Sequence, residues 1–151
     1  MAQLGYLLLI VDYSFIELRT LAATALNRYG WSKMADVIME GVDPHVHTGA
    51  MMLSVPVEEF LTWKNNETVV ETTIVDGKEK VIRLKDRFDQ ARQAAKVVNF
   101  AVPGGLSIPS LVSYAHNTYG VDWTPEEAKV RHDLLTKEIY PELDLYLACL
   151  L

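Results

Sequence analysis

Cysteine is nearly absent from this sequence of 151 residues, in which Cys149 is the single example. One cysteine excludes an internal disulfide bond and a cysteine-based metal site, and it is typical of a reducing cytosol. Long apolar runs are also lacking, because no stretch approaches the roughly 20 residues that span a membrane. The apolar segment GYLLLIVD at 5–12 has no basic leader and no cleavage site, so we predict a buried strand there. We therefore expect a cytoplasmic protein without a membrane partner.

Excess positive charge is missing as well. The net charge of −6 argues against a protein that coats nucleic acid without regard to sequence. Basic residues are nevertheless concentrated between Lys78 and Lys96, where seven of them accompany three acidic residues. This basic stripe suits a site for one polyanion, and it is also typical of a solvated helix face.

The pattern of apolar and turn residues predicts a mainly helical α+β fold. Ser14 is the predicted N-cap of the first helix, with Glu17 completing a capping box and Gly30 at its end. The Asp-Gly pair at 76–77 separates two alternating segments, which predicts a β-hairpin over 67–84 inserted between helices. The other predicted helices cover 32–40, 45–54, a short segment from Pro56, 85–102, 107–119 and 124–138, the last beginning with a Thr-Pro-Glu-Glu capping sequence.

Asp12 is the first candidate for a chemical role, because it is the carboxylate at the end of the predicted strand. A carboxylate held between a buried strand and a helix is a rigid platform for an oxygen-seeking cation such as magnesium. The alternative is structural, since the same side chain would also serve to cap the following helix.

The predicted helix over 85–102 carries the second candidate set. Arg92, Lys96, Phe100 and Gly104 recur every four residues, so two cations and an aromatic ring fall on one helix face. Arginine and lysine one turn apart can bind a polyphosphate through charge-assisted hydrogen bonds, and the ring can pack against a sugar or a base. An amphipathic helix with a solvated basic edge would show the same spacing.

Together these segments resemble the family A DNA polymerases, the group of bacterial polymerase I and the phage replicative polymerases. DYSFIELRTLA at 12–22 resembles motif A, and RQAAKVVNFAVPGGLS at 92–107 resembles motif B. Between them, GVDPHVHTGAMML at 41–53 is similar to the family's Asp-Ile-His-Thr segment. The three matches occur in the family's order and cover nearly the whole chain.

The resemblance implies both a fold and a function. The fold would be a partial palm over 1–30, a fingers subdomain over 31–140 that includes the motif B helix, and a C-terminal tail over 141–151. The function would be template-directed DNA synthesis with a primer–template, deoxynucleoside triphosphates and magnesium ions, in the cytoplasm of a bacterial or phage-infected cell.

Motif A implies roles for three residues. Asp12 matches the aspartate that ligates both catalytic metals, and the Tyr13 carbonyl would be a further ligand. Glu17 matches the glutamate that acts as a steric gate, which excludes a ribose 2′-hydroxyl and so selects deoxynucleotides.

The other two segments imply contacts to the incoming nucleotide. Arg92 and Lys96 match residues that bind the triphosphate, and Phe100 matches a ring that packs beside the sugar. His47 most resembles the histidine near the β-phosphate, and His45 is the alternative, because DPHVHT carries one more residue than the simple pattern.

Two departures from the family pattern change what we expect of the chain. Gly104 replaces the tyrosine at the end of motif B, so Glu17 loses a partner. Motif C, a His-Asp-Glu sequence that carries the second essential carboxylate, does not occur. We therefore expect a polymerase fragment that is inactive alone and is completed by further polypeptides supplying motif C and the thumb. The alternative is an inactive nucleotide- or DNA-binding module derived from such a polymerase.

Overall fold

The computed structural model describes residue 12 and residues 14–149. Most of these residues are helical, and one two-stranded antiparallel sheet accompanies the helices, which confirms the mainly helical α+β class. Of the strand predicted over 5–12, only Asp12 lies within the described residues. The elements in chain order are α1 Ile16–Tyr29, α2 Lys33–Met39, α3 Pro44–Met52, α4 Val57–Thr62, β1 Val69–Val75, β2 Lys78–Arg83, α5 Leu84–Ala101, α6 Ile108–Tyr119, α7 Pro125–Leu134, a π-helical turn Leu135–Ile139 and α8 Glu142–Ala148. No helix among them is both long and apolar enough to cross a membrane.

Short polar side chains begin four of the helices. Ser32, Asp43, Ser107 and Thr124 each accept a hydrogen bond from a backbone N–H of the first turn. These bonds satisfy donors that have no partner inside the helix. The capping sequence predicted at the start of α7 is confirmed, because Thr124 and Glu127 each accept a bond from the other's backbone N–H.

Replacing Thr124 by alanine is expected to lower the free energy of unfolding by about 1 kcal/mol, because the N–H of Glu127 loses its acceptor. The Thr124→Ser variant keeps a hydroxyl at this position and is expected to unfold close to the wild type. Urea unfolding measures both. Equal midpoints for the alanine and serine variants would contradict the capping role.

The start of α1 differs from the prediction. The helix begins at Ile16, and Phe15 before it adopts the left-handed region, with φ of 43°, and makes no side-chain cap. Ser14 lies in a turn rather than at the N-cap, so the predicted capping box with Glu17 is wrong. The ring of Phe15 packs against the core and meets the His45 ring edge-on, with 6.5 Å between centroids. Burial of this ring, instead of a polar cap, determines how the chain enters α1.

The C-terminal part contains two features that apolar periodicity did not predict. The helix predicted over 124–138 keeps its α-helical pitch only to Leu134 and continues as the wider π-helical turn.

The predicted tail contains α8, whose Glu142 is only 1% exposed. Glu142 Oε1 accepts bonds of 2.8 Å from Ser32 Oγ and from the Met34 N–H, while its buried Oε2 has no partner among the described residues. Through these bonds α8 holds the N-terminal turn of α2.

The hairpin predicted over 67–84 is confirmed. β1 and β2 pair in antiparallel register, and the turn residues Asp76 and Gly77 have φ of 52° and 72°. Positive φ at both positions is what a two-residue type I′ turn requires. Most side chains of both strands are exposed, including Ile74 at 79%, so the alternating pattern does not mark a buried face here.

The long helix α5 lies at the centre of the packing. Its buried residues are shared between a large core, formed with α1, α2, α6 and the C-terminal helices, and a smaller one formed with α3 and α4. At Gly49, α3 crosses α5 so closely that a Cβ atom would lie 3.3 Å from the backbone of Ala91 and from the ring of Phe60. Because glycine has no side chain, the two helix backbones can touch, and the start of α3 lies against the middle of α5.

Candidate functional site

The candidate site is formed where the first turn of α3 packs against α5. Arg92 Nη2 donates to Asp43 Oδ2 at 2.7 Å, and Asp43 Oδ1 accepts from the His45 backbone N–H at 2.8 Å. Burial alone would raise the pKa of Asp43, but the Arg92 guanidinium and the bond from the His45 backbone outweigh it and keep that pKa below its ordinary value. Asp43 is therefore ionised at neutral pH and holds Arg92 against α3.

The predicted cations and ring of α5 lie together with His45 of α3. Arg92, Lys96 and Phe100 follow one another by single turns, and the His45 ring lies 5.1 Å from the Phe100 ring between centroids. Burial lowers the pKa of His45 to about 4; the charge of Asp43 opposes this shift, and the charges of Arg92 and Lys96 add to it. His45 is thus a neutral imidazole at neutral pH, within electrostatic reach of both cations.

A buried hydrogen-bond network supports this site from behind. Asn99 Nδ2 lies 3.1 Å from His45 Nδ1 and 3.4 Å from the Pro44 carbonyl, and Asn99 Oδ1 accepts from Thr48 Oγ1 at 3.1 Å. The Tyr140 hydroxyl lies 3.4 Å from the same Pro44 carbonyl, and burial raises the pKa of that hydroxyl. Sequence patterns assign no role to Asn99, Thr48 or Tyr140. The one signal available was that the first two fall inside the polymerase-like segments.

His47 lies on the Tyr140 side of this network. Its Nδ1 lies 3.2 Å from the Tyr140 hydroxyl, and burial, followed by the charge of Lys33, lowers its pKa. The histidine that the structure brings beside Arg92 is His45, the alternative that the sequence left open. The role predicted for His47 near a β-phosphate stays a prediction.

The predicted steric gate lies in a second part of the site. Glu17, Phe100 and Gly104 line one cavity of about 310 Å³ between α1 and α5. Glu17 is exposed in the first turn of α1, where a negative charge is favourable. Asp12 is exposed ahead of α1, and Tyr13 lies outside the described residues. The structure therefore brings the gate candidate and the sugar-packing candidate together.

The predicted metal site is represented by a single side chain. An exposed carboxylate such as Asp12 suits magnesium as one ligand, but a two-metal site needs several oxygen donors. Across residues 12 and 14–149, no group of three or more histidine, cysteine, aspartate or glutamate side chains is placed to hold a metal ion. The described residues therefore do not complete a metal site by themselves.

Part of the basic stripe is neutralised by acidic residues. Arg83 lies 3.3 Å from Glu67, which also binds Lys85, and Arg87 lies 3.5 Å from Glu71. These ion pairs connect the hairpin to the start of α5. This part of the basic stripe is therefore a solvated surface in which the positive charges are neutralised. Within α5, the candidate polyanion site therefore consists of Arg92 and Lys96 on the later turns.

A larger cavity of about 1020 Å³ lies away from this site and is lined by residues of α5 and α7, among others. Its wall includes Trp123 and Arg131, whose guanidinium lies 4.7 Å from the centroid of the Trp123 ring. No predicted site residue lines this cavity. Size alone therefore does not identify the functional site.

Sequence comparison finds relatives of this chain. The chain is 29% identical to DNA polymerase I of Aquifex aeolicus over 136 residues, which are 90% of this chain and 18% of that protein. It is 32% identical to the thermostable DNA polymerase I of Thermus filiformis over 127 residues, which are 84% of this chain and 11% of that protein. The chain is a relative of DNA polymerase I. The predicted resemblance to DNA polymerases is confirmed, while the assignment of the three segments to motifs and the roles of individual residues stay predictions.

The similarity covers only a small part of each relative. The chain spans less than a fifth of the length of the DNA polymerase I relatives described above. No protein-family model matches it, and neither does any solved structure. The comparison thus establishes a segment related to DNA polymerase I.

His45 is expected to make the stability of this polymerase I relative depend on pH. Its pKa is about 4 in the folded chain, against about 6.5 for an unperturbed histidine, so the unfolded state binds more protons between these values. The free energy of unfolding should therefore fall as the pH is lowered from about 6.5 to about 4. His45→Gln should flatten that fall, because glutamine at this position does not titrate. Urea unfolding at several pH values across this range measures the fall in the free energy of unfolding. The same fall in His45→Gln as in the wild type would contradict its attribution to His45.

Proposed function

We propose that this chain forms the nucleotide-binding part of the active site of a DNA-directed DNA polymerase. It binds the triphosphate of an incoming deoxynucleotide and takes part in template-directed DNA synthesis once further polypeptide completes the site. The observation that supports this proposal is the assembly of Arg92, Lys96, His45 and Phe100 where α3 packs against α5.

The charges of this site suit the chemistry of phosphoryl transfer. That reaction needs positioning and electrostatic stabilisation of the leaving pyrophosphate more than covalent help from the protein. Arg92 has several N–H donors, so it can keep its bond to Asp43 and still donate to phosphate oxygens. Lys96 adds a second positive charge one turn later, and neutral His45 adds an N–H donor. The polymerase resemblance by itself favours His47 for the phosphate contact, and His45 is proposed here because it packs beside Phe100 and within reach of both cations.

We assign the sugar of the nucleotide to the cavity between α1 and α5. Phe100 packs against the deoxyribose, and Glu17 in the same cavity excludes a 2′-hydroxyl. Gly104 leaves this cavity without the tyrosine of the family pattern. We therefore expect weaker discrimination between deoxyribose and ribose than that pattern would provide.

Magnesium ions, when bound, supply charge neutralisation for the reacting phosphate. From this chain, Asp12 and the Tyr13 carbonyl would hold them. The sequence contains no His-Asp-Glu segment, so the further carboxylate would come from polypeptide outside these 151 residues, together with the contacts to the primer–template.

Reconstitution tests this proposal. The chain is co-expressed with the polypeptides encoded beside it, and extension of a primed template with magnesium is measured. Extension is expected with the completed assembly and is expected to be abolished by Asp12→Ala. Asp122→Ala, at an exposed aspartate between α6 and α7, is the matched control and should retain activity. Full extension by the Asp12→Ala assembly would overturn the role of Asp12.

A catalytically inactive nucleotide- or DNA-binding module is the second candidate function. Gly104 and the missing His-Asp-Glu segment favour it. In that case triphosphate binding would depend on Arg92 and Lys96, yet no partner would restore extension. A chain that binds no triphosphate, alone or in the completed assembly, would contradict the polymerase function and would leave the module only DNA as a ligand.

A further inference from the structure

Asn99 is a polar side chain in the interior, only 1% exposed, at the contact between α3 and α5. A buried amide is costly unless its donors and acceptors are satisfied. Asn99 belongs to neither the cations nor the ring of the proposed nucleotide site, although it lies between Lys96 and Phe100 in the sequence. Direct contact with the nucleotide therefore does not explain the hydrogen bonds of Asn99.

The partners of Asn99 determine the orientation of its amide. The Pro44 carbonyl can only accept a hydrogen bond, so the amide nitrogen must be the atom that lies 3.4 Å from it. The same nitrogen lies 3.1 Å from His45 Nδ1, and the amide oxygen on the other side accepts from Thr48 Oγ1. One nitrogen with two hydrogens thus donates to two acceptors.

This orientation determines which nitrogen of His45 carries the proton. Because Nδ1 accepts the bond from Asn99, the neutral ring must be protonated on Nε2. Nε2 has no hydrogen-bond partner among residues 12 and 14–149, so its N–H is left for a ligand. The charged groups facing the ring are Asp43 on the first turn of α3 and Arg92 and Lys96 on α5.

We infer that Asn99 is a positioning residue that fixes His45 in the Nε2-protonated tautomer, so that the ring donates a hydrogen bond to a phosphate oxygen of the bound triphosphate. The ligand in this inference rests on the proposed function, whereas the tautomer does not. Thr48 acts one step further back, since its hydroxyl holds the Asn99 amide oxygen.

Nuclear magnetic resonance of the whole chain, labelled with ¹⁵N on the histidine rings, tests the tautomer. The sequence has only four histidines, so His45→Gln assigns the signals of His45 directly. At neutral pH the wild type is expected to show a protonated Nε2 and an unprotonated Nδ1 for His45. A ring protonated on Nδ1 would overturn the inference without the need for any Asn99 variant.

Two substitutions then test the role of Asn99. Asn99→Leu removes the donor, so the Nδ1-protonated form should become populated. Asn99→Asp presents an acceptor to Nδ1, so the proton should move to that nitrogen. Unchanged His45 signals in both variants would contradict the positioning role. The signals of His47, which bonds to Tyr140, are the internal control for an intact fold.

Triphosphate affinity separates this inference from the proposed function. Asn99→Leu should lose roughly ten-fold in affinity, whereas the same change at Asn117, which is exposed on α6, should retain it. A wild-type chain with the stated tautomer but no triphosphate binding would contradict the proposed function and leave the role of Asn99 intact. Triphosphate binding of equal strength in the wild type and Asn99→Leu would contradict the positioning role and leave the proposed function intact.

Discussion

Replacing Arg92 by alanine is expected to weaken the binding of a deoxynucleoside triphosphate by roughly 10- to 100-fold, which corresponds to the loss of a hydrogen bond between charged groups. Of the two cations in the proposed site, Arg92 is the one that an ion pair holds in place, with Asp43 at 2.7 Å from its guanidinium. A pre-positioned guanidinium loses little conformational freedom when a phosphate arrives. Calorimetry or fluorescence titration with the triphosphate measures the effect.

The matched control for Arg92 is Arg87 on the same helix. Arg87 is exposed, pairs with Glu71 at 3.5 Å and lies outside the candidate site, so Arg87→Ala should leave triphosphate affinity within about two-fold of wild type. Arg92→Lys retains the charge without the planar guanidinium, and an intermediate loss is expected. Equal affinities in Arg92→Ala and Arg87→Ala would contradict the placement of the triphosphate on this face of α5.

The second large effect is expected at Glu142, where alanine should lower the free energy of unfolding by about 2–4 kcal/mol. The carboxylate is 1% exposed and accepts from both Ser32 and the Met34 N–H. Removing it leaves two buried donors at the start of α2 without their acceptor and opens a void under α8. Such a loss is a large part of the roughly 5–15 kcal/mol that stabilises a typical domain.

Glutamine at position 142 keeps the oxygen that Ser32 and Met34 use and replaces Oε2 by an amide nitrogen. Because Oε2 has no partner among the described residues, Glu142→Gln should unfold within about 1 kcal/mol of the wild type. Urea unfolding followed by circular dichroism compares the two variants. The same midpoint for wild type, alanine and glutamine would contradict the role of Glu142 in holding α2.

Local chemistry explains why most of the helices and the hairpin could be predicted from the sequence. Thr124 caps α7 through its own neighbours, and the Asp-Gly pair at 76–77 has the backbone angles of a tight turn whatever surrounds it. The start of α1 could not be predicted in the same way. Ser14 and Glu17 fit a capping box, but burial of the Phe15 ring outweighed it, and burial against a distant helix is not visible in local sequence.

The candidate site was predicted in part, for a related reason. The four-residue spacing of Arg92, Lys96 and Phe100 was sufficient to place them along one helix. Which histidine joins them depends on where α3 begins and how it lies on α5, so the letters DPHVHT left His45 and His47 as alternatives. Asn99 carries no periodic signal, because its importance comes from partners that are about fifty residues away in the chain.

The close crossing of α3 and α5 at Gly49 limits how this protein can move. Backbone already lies against backbone there, so the two helices cannot approach further, and separating them would expose buried apolar surface. Asp43, His45, Arg92 and Lys96 are therefore carried by one rigid body. Under the proposed function, an opening or closing motion that admits a nucleotide would displace this pair of helices as a unit, with the hinge located outside it.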